Sequence, residues 1–350
     1  MTGGGTKGVV LAVLMGATLL ASSGGAGATT EGRLVPATSA SFSDQRSTVS
    51  APSGLLAFVT DSNLYASSGK ETLATVRPDG ENRQVLVGPA STNIGLLAFS
   101  PDGTRLAYFR ATPSKATVDV IELSSRKVTV SFVLRNKKAF VDGIAWTPNG
   151  RDLIIGSNER PGSKGARSEA ALWRMAVSGG TTTRLTPFED AGSPSVSPDG
   201  DLVYCVSKTY SSTTLQKTAL YISRPNGGGP RLLLKSRHFI DTPAVSPNGG
   251  EIAFTLVLND NTSHLGSIMV TGRHWSNLTP SVRGRTDLSA SWSPSGRSLV
   301  YLSSRAGRHA STKAEQLLDA YEMTATGKDS RKVDAVHGDT RSFVVIVWGR

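Results

Sequence analysis

Short apolar runs separated by Gly, Pro, Asn and Asp dominate the chain from about residue 53 onward. Leu97-Ala98-Phe99 is followed by a Ser-Pro-Asp-Gly turn and then by Leu106-Ala107-Tyr108-Phe109. Runs of four to six residues bounded by turn residues read as strands rather than helices. The same arrangement returns at Ala145-Trp146, Ser195-Val196, Ala244-Val245 and Ser291-Trp292, each just before a proline turn. The second strands of these hairpins are Leu153-Ile154-Ile155, Leu202 to Val206, Ile252-Ala253-Phe254 and Leu299 to Leu302.

The turns carry the repeat. They are Pro101-Asp102-Gly103, Pro148-Asn149-Gly150, Pro198-Asp199-Gly200, Pro247-Asn248-Gly249 and Pro294-Ser295-Gly296, with prolines 47, 50, 49 and 47 residues apart. Proline presets φ, Asp or Asn caps local N–H groups, and Gly takes the position with φ > 0. A period near 50 residues suits a four-stranded propeller blade. A second turn follows later in each unit, at Ser178-Gly179-Gly180, Asn226-Gly227, Thr271-Gly272 and Thr326-Gly327, pairing a third strand with a fourth. Leu55 to Val59 lacks a strand before it, and Phe343 to Trp348 lacks one after it. Five complete hairpins and two orphan strands predict an all-β fold of six blades, closed when the C-terminal strand joins the first blade.

The N-terminal part is different. Lys7, an apolar stretch from Val9 to Ala21 and Ala26-Gly27-Ala28 read as a secretory signal over residues 1–28. Residues 29–52 are rich in Ser, Thr and Ala and are expected to form a disordered tail. The domain organisation is therefore signal 1–28, tail 29–52 and propeller 53–350. The mature chain contains no apolar run long enough to span a membrane.

Composition narrows the function classes. The 350 residues include 37 Gly, in keeping with many tight turns, and one cysteine, Cys205, which rules out an internal disulfide and a Cys-based zinc cluster. Net charge is +11, which attracts anionic partners without naming them. The cations are scattered rather than clustered, and only 6% of residues are aromatic, so nucleic acid is not the expected partner.

The five turns resemble those of the TolB-like six-bladed β-propeller family, whose repeat has a Trp/Phe-Ser-Pro-Asp-Gly core. The resemblance covers about residues 53–350 and implies the fold. TolB proteins carry an additional α/β domain before the propeller, which residues 29–52 are too short to form. Propellers of this kind also precede the catalytic domain of prolyl-oligopeptidase-type enzymes, and no such domain is expected after Arg350.

Motifs for chemistry are sparse. There is no Gly-x-Ser-x-Gly elbow and no His-Glu-x-x-His pair. His238, His264, His274, His309 and His337 are spread over several blades, and no cofactor or metal is expected. Asp102 and Asp199 read as turn caps. Asp142, Asp241 and Asp287 lie six or seven residues before their motif prolines, which places them near one mouth of the central channel. Arg160, Arg305 and Arg308 lie in loops expected on the same face, with Arg283, Arg285, Asp339 and Arg341 nearby. The expected function is an exported, monomeric, non-enzymatic scaffold in the periplasm, cell envelope or extracellular space, which binds a protein or glycan through this face. The alternative is a glycan hydrolase or lyase with a composite site at the channel mouth, which a carboxylate or histidine cluster there would favour.

Overall fold

The structure, a computed structural model, describes residues 54–61, 71–90, 92–112, 115–134, 140–159, 166–179, 181–187, 189–208, 217–258, 262–280, 285–305, 318–333 and 342–350. The signal and tail therefore lie outside the described residues, as do Arg160, Arg308, His309 and His337. Every regular element among the described residues is a strand. In chain order they are β1 (Leu55–Asp61), β2 (Glu71–Val76), β3 (Gln84–Ala90), β4 (Asn93–Phe99), β5 (Arg105–Ala111), β6 (Ala116–Glu122), β7 (Lys127–Leu134) and β8 (Val141–Trp146). Then come β9 (Asp152–Glu159), β10 (Ala166–Ala176), β11 (Thr182–Arg184), β12 (Ala191–Val196), β13 (Leu202–Lys208), β14 (Lys217–Ser223), β15 (Arg231–Ser236) and β16 (Phe239–Val245). The last are β17 (Glu251–Val257), β18 (Ser263–Met269), β19 (Ser276–Asn277), β20 (Arg285–Trp292), β21 (Ser298–Arg305), β22 (Asp319–Thr324), β23 (Arg331–Lys332) and β24 (Ser342–Gly349).

Strands adjacent in sequence pair antiparallel as β4 to β7, β8 to β11 and β12 to β15. The strands from β16 to β23 form one continuous sheet, joined by a single parallel contact between Ser263 and Thr286. The first sheet has the order β24-β1-β2-β3, so the chain's last strand lies beside its first. Leu55 faces Gly349 and Leu56 faces Trp348 across that pair. The leading strands β24, β4, β8, β12, β16 and β20 contact one another in that order, and β20 returns to β24.

The proline turns do the same local work at each repeat. Each glycine N–H bonds the carbonyl three residues back: Gly103 to Ser100 at 2.8 Å, Gly150 to Thr147 at 2.9 Å, and Gly200, Gly249 and Gly296 likewise. All five glycines have positive φ, between 65° and 91°. Asp102 accepts from Ser100 Oγ at 2.5 Å and Thr104 N–H at 3.1 Å, which hold its carboxyl down at about 2. The turns also touch one another. A side chain on Gly249 or Gly296 would meet Pro198 or Pro247 of the preceding turn. Trp146 and Trp292 each donate the indole N–H at 2.9 Å to the preceding leading strand, to Ala98 O and Ala244 O.

The apolar side chains pack between sheets. Six buried clusters among the described residues each join two neighbouring sets of strands, as where Ala107 to Leu134 meets Val141 to Val177. Tyr108, Tyr204, Phe254 and Tyr301, on β5, β13, β17 and β21, are almost wholly buried. Each such side chain contributes roughly 2–3 kcal/mol through burial.

Candidate functional site: the central channel

The leading strands surround a cavity of about 590 Å³. Its shape follows from an irregularity that repeats. The register with the second strand shifts between Gly95 and Ala98, Val141 and Gly143, Gly192 and Ser195, Asp241 and Ala244, and Leu288 and Ser291. At the shift Leu96, Ser193, Thr242 and Ser289 take φ values of 54°, 47°, 46° and 57°. Each stands five residues before its motif proline. Positive φ is uncommon outside glycine, and for a β-branched residue such as Thr242 it is an outlier. A bulge of this kind re-aims side chains, and all four of these residues line the cavity.

The wall is two-sided. Leu96, Leu97, Val345 and Val347 make one part apolar, while Asp142, Ser193, Thr242 and Ser289 make another polar. Asp142 is half-buried, and its carboxylate lies over two glycines, Gly156 on β9 and Gly192 on β12. A Cβ at either position would collide with the carboxylate oxygens. Ser193 links Asp142 to Asp241. Its N–H reaches Asp142 Oδ1 at 3.4 Å, and its hydroxyl reaches Asp142 O at 3.3 Å and Asp241 Oδ1 at 2.5 Å. Asp241 is buried and also accepts from Thr242 N–H at 2.8 Å.

This setting raises the proton affinity of both acids. Burial, then the Asp241 charge, push Asp142 up to about 7, against the N–H bond from Ser193. Burial pushes Asp241 up as well, opposed by the hydrogen bonds from Ser193 and Thr242. Cys205 on β13 lies near both acids, and burial holds its thiol well above the ordinary range.

Asp142 and Asp241 are thus brought together, and Asp287 is not. Asp287 is fully buried and pairs with Arg285 Nε at 2.8 Å. Arg285 reaches Tyr301 OH at 3.4 Å, so it is held in an ion pair rather than free on a loop. For Arg305 only the strand position, at the end of β21, is described. Asp102 and Asp199 lie in the proline turns, at the other ends of the leading strands. Among the described residues no group of three His, Cys, Asp or Glu side chains is placed to hold a metal ion, and no described helix is long and apolar enough to cross a membrane. Reading the sequence alone misses Ser193, Thr242 and Ser289 at the bulges and the glycine pair under Asp142. The only trace of the bulges is their constant distance from the proline.

Comparison with known proteins bears on the fold. The family described as TolB beta propeller domain matches residues 49–344. TolB from Acinetobacter baumannii is 17% identical, with a TM-score of 0.64 over 86% of this chain and 68% of that one. Putative TolB from Agrobacterium tumefaciens is 16% identical, with a TM-score of 0.56 over 81% and 89%. Hydrazine synthase of Kuenenia stuttgartiensis is 10% identical, with a TM-score of 0.64 over 85% and 47%, so the fold extends to enzymes. Comparison with curated proteins gave no match. The chain belongs to the TolB β-propeller family.

Proposed function

We propose that the protein is an exported, non-enzymatic binding scaffold. In this reading residues 53–350 form six blades closed by β24, residues 1–28 direct export, and residues 29–52 are the tail that follows. The ligand is a protein or a glycan, taken by the face on which Asp142 and Asp241 stand. The observation that carries the reading is the set of cavity-lining residues with positive φ, Leu96, Ser193, Thr242 and Ser289. Strained backbone persists where the surroundings over-determine it, and it concentrates at functional sites. Arg160, Arg305 and Arg308 supply the rim in this assignment, and Asp142, Asp241 and Asp287 stand nearer the mouth.

The test is crosslinking and pull-down from the native cell envelope, followed by footprinting of the captured complex. Charge reversal at Arg305 and Arg308 slows association, and added salt slows it further, since exposed charges are screened beyond about 8–10 Å at ordinary ionic strength. Substitution of Asp102 or Asp199 changes stability alone. Protection of the proline-turn face, with the opposite face unprotected, would refute the assignment.

One observation favours a second reading, a glycan hydrolase or lyase: Asp142 carries a proton up to about pH 7, as a general acid must. Its partner Asp241 is buried and bonded to Ser193, whereas paired catalytic carboxyls both reach the sugar. Turnover of an acidic polysaccharide that disappears in Asp142→Asn would decide for the enzyme.

A further inference from the structure

The cavity wall is divided by strand. Leu96 on β4 and Val347 on β24 belong to its apolar part, and these two strands touch. The other four leading strands, β8, β12, β16 and β20, carry Asp142, Ser193, Thr242 and Ser289. Hydrogen bonds join that side into one arc. Ser193 ties Asp142 to Asp241, and Asp241 accepts from Thr242 N–H. Thr242 Oγ1 meets Thr255 Oγ1 at 2.7 Å, and Thr255 Oγ1 accepts from Ser289 N–H at 3.1 Å. The arc ends at β8 and β20, and β4 and β24 close the gap between those ends.

Both ends of the arc have unmet hydrogen-bonding capacity. The Asp142 carboxylate accepts only from backbone N–H groups, its own and that of Ser193 at a long 3.4 Å. An ionised carboxylate has about four acceptor sites, and Asp142 is half-buried on the cavity wall. The titratable groups around it are Asp241, Asp190 and Cys205, with no described cation among them. At the other end Ser289 is only 8% exposed, and its Oγ has no hydrogen-bond partner among the described residues. Buried polar groups are nearly always paired, so an unpaired one lining a cavity points to a ligand group.

We propose that the channel takes a lysine side chain of a protein partner, with the ammonium at Asp142, the methylene stem along Leu96 and Val347, and a peptide carbonyl at Ser289 Oγ. The inference rests on the reading of the channel face as the binding face, and it selects protein over glycan there. The order of the strands β8, β4, β24 and β20 matches the order of groups along a lysine: cation, hydrocarbon, peptide. Charge-assisted hydrogen bonds supply the strong contact, and the apolar wall covers the stem. An amino sugar would place hydroxyl groups against Leu96 and Val347. A divalent ion asks for six or more oxygen ligands of the calcium type and leaves the apolar wall unused. A free alkylamine leaves Ser289 unpaired.

The probe is Nα-acetyl-lysinamide, titrated into the intact protein by calorimetry and by saturation-transfer NMR. Binding should tighten about tenfold from pH 6 to pH 8, because Asp142 must be ionised and titrates at about 7, whereas the amine stays protonated to about pH 10. Nα-acetyl-norleucinamide, which keeps the stem without the charge, and n-butylamine, which lacks the peptide group, should each bind about tenfold more weakly or worse. Asp142→Asn should weaken the lysine amide about tenfold at pH 8 and remove the pH dependence, while Asp102→Asn leaves binding unchanged. If Asp142→Asn does not fold, the pH series and the norleucine comparison on the wild type still decide. Equal binding of the two amides, binding indifferent to pH, preference for glucosamine, n-butylamine as tight as the lysine amide, or binding of calcium without the lysine amide would each overturn the inference. A captured protein that protects the channel face and binds as well after its lysines are acetylated overturns this inference and leaves the scaffold reading standing. Binding of the lysine amide, with the channel face unprotected in the captured complex, does the reverse.

Discussion

Asp142 is held in place by what its neighbours lack. Two glycines leave room for its carboxylate, and no cation lies among the groups that set its charge: these are Asp241, Asp190, the Ser193 N–H and its own N–H. An unfolded chain would release this proton near pH 3.8, and the folded protein keeps it to about pH 7. The folded state therefore binds more protons between those values, and stability falls as pH rises through that window. Above it the loss is constant. The Asp142 contribution, discounted for partial exposure, is on the order of 1–3 kcal/mol. Asp142→Asn should flatten this dependence, so that thermal melts of variant and wild type converge below pH 3.8 and separate progressively up to pH 8 in favour of the variant. The glycine slot gives a second expectation. Gly192→Ala should destabilise by about 1–3 kcal/mol, as overpacking does. Gly192→Ala combined with Asp142→Ala should cost clearly less than the two changes added, in a double-mutant cycle by chemical denaturation.

At the level of elements, hairpins were legible and inter-sheet contacts were not. Pro101, Pro148, Pro198, Pro247 and Pro294 announce turns because a turn is settled by four consecutive residues, and their glycines have the φ this requires. The meeting of Asp142 with Asp241 depends on Ser193, about 50 residues from each, and on the depth to which β8, β12 and β16 approach one another. Asp287 resembles the other two in sequence spacing, but it stands one position earlier relative to its proline. That single step gives it Arg285 and Tyr301 as neighbours. Arg285 was legible as a charge and not as the half-buried ion-pair partner of Asp287, for the same reason. The pairing of the C-terminal strand with β1 was readable from two unmatched apolar runs, and it yields an element-scale prediction. Removing residues 341–350 strips β1 of the Leu55 to Asp61 ladder and takes Ile346 and Trp348 from the core. The truncated protein should be insoluble or melt far below the full chain, and a melt equal to the full chain's would refute this role for β24.

For the whole molecule, the two faces divide the work in the reading proposed above. One holds the channel mouth with its acids. The other holds the proline turns. With a net charge of +11, association with an anionic partner should slow steeply as salt rises, measured by stopped-flow mixing once the partner is in hand. The β1–β24 pair has a mechanical consequence. Leu55 faces Gly349, so the first and last described residues leave the same end of one antiparallel ladder. The bonds of such a ladder run perpendicular to its strands. A pull on the two ends therefore loads those bonds singly, beginning at Gly349 and passing toward Ser342, and the seam opens like a zip at low force.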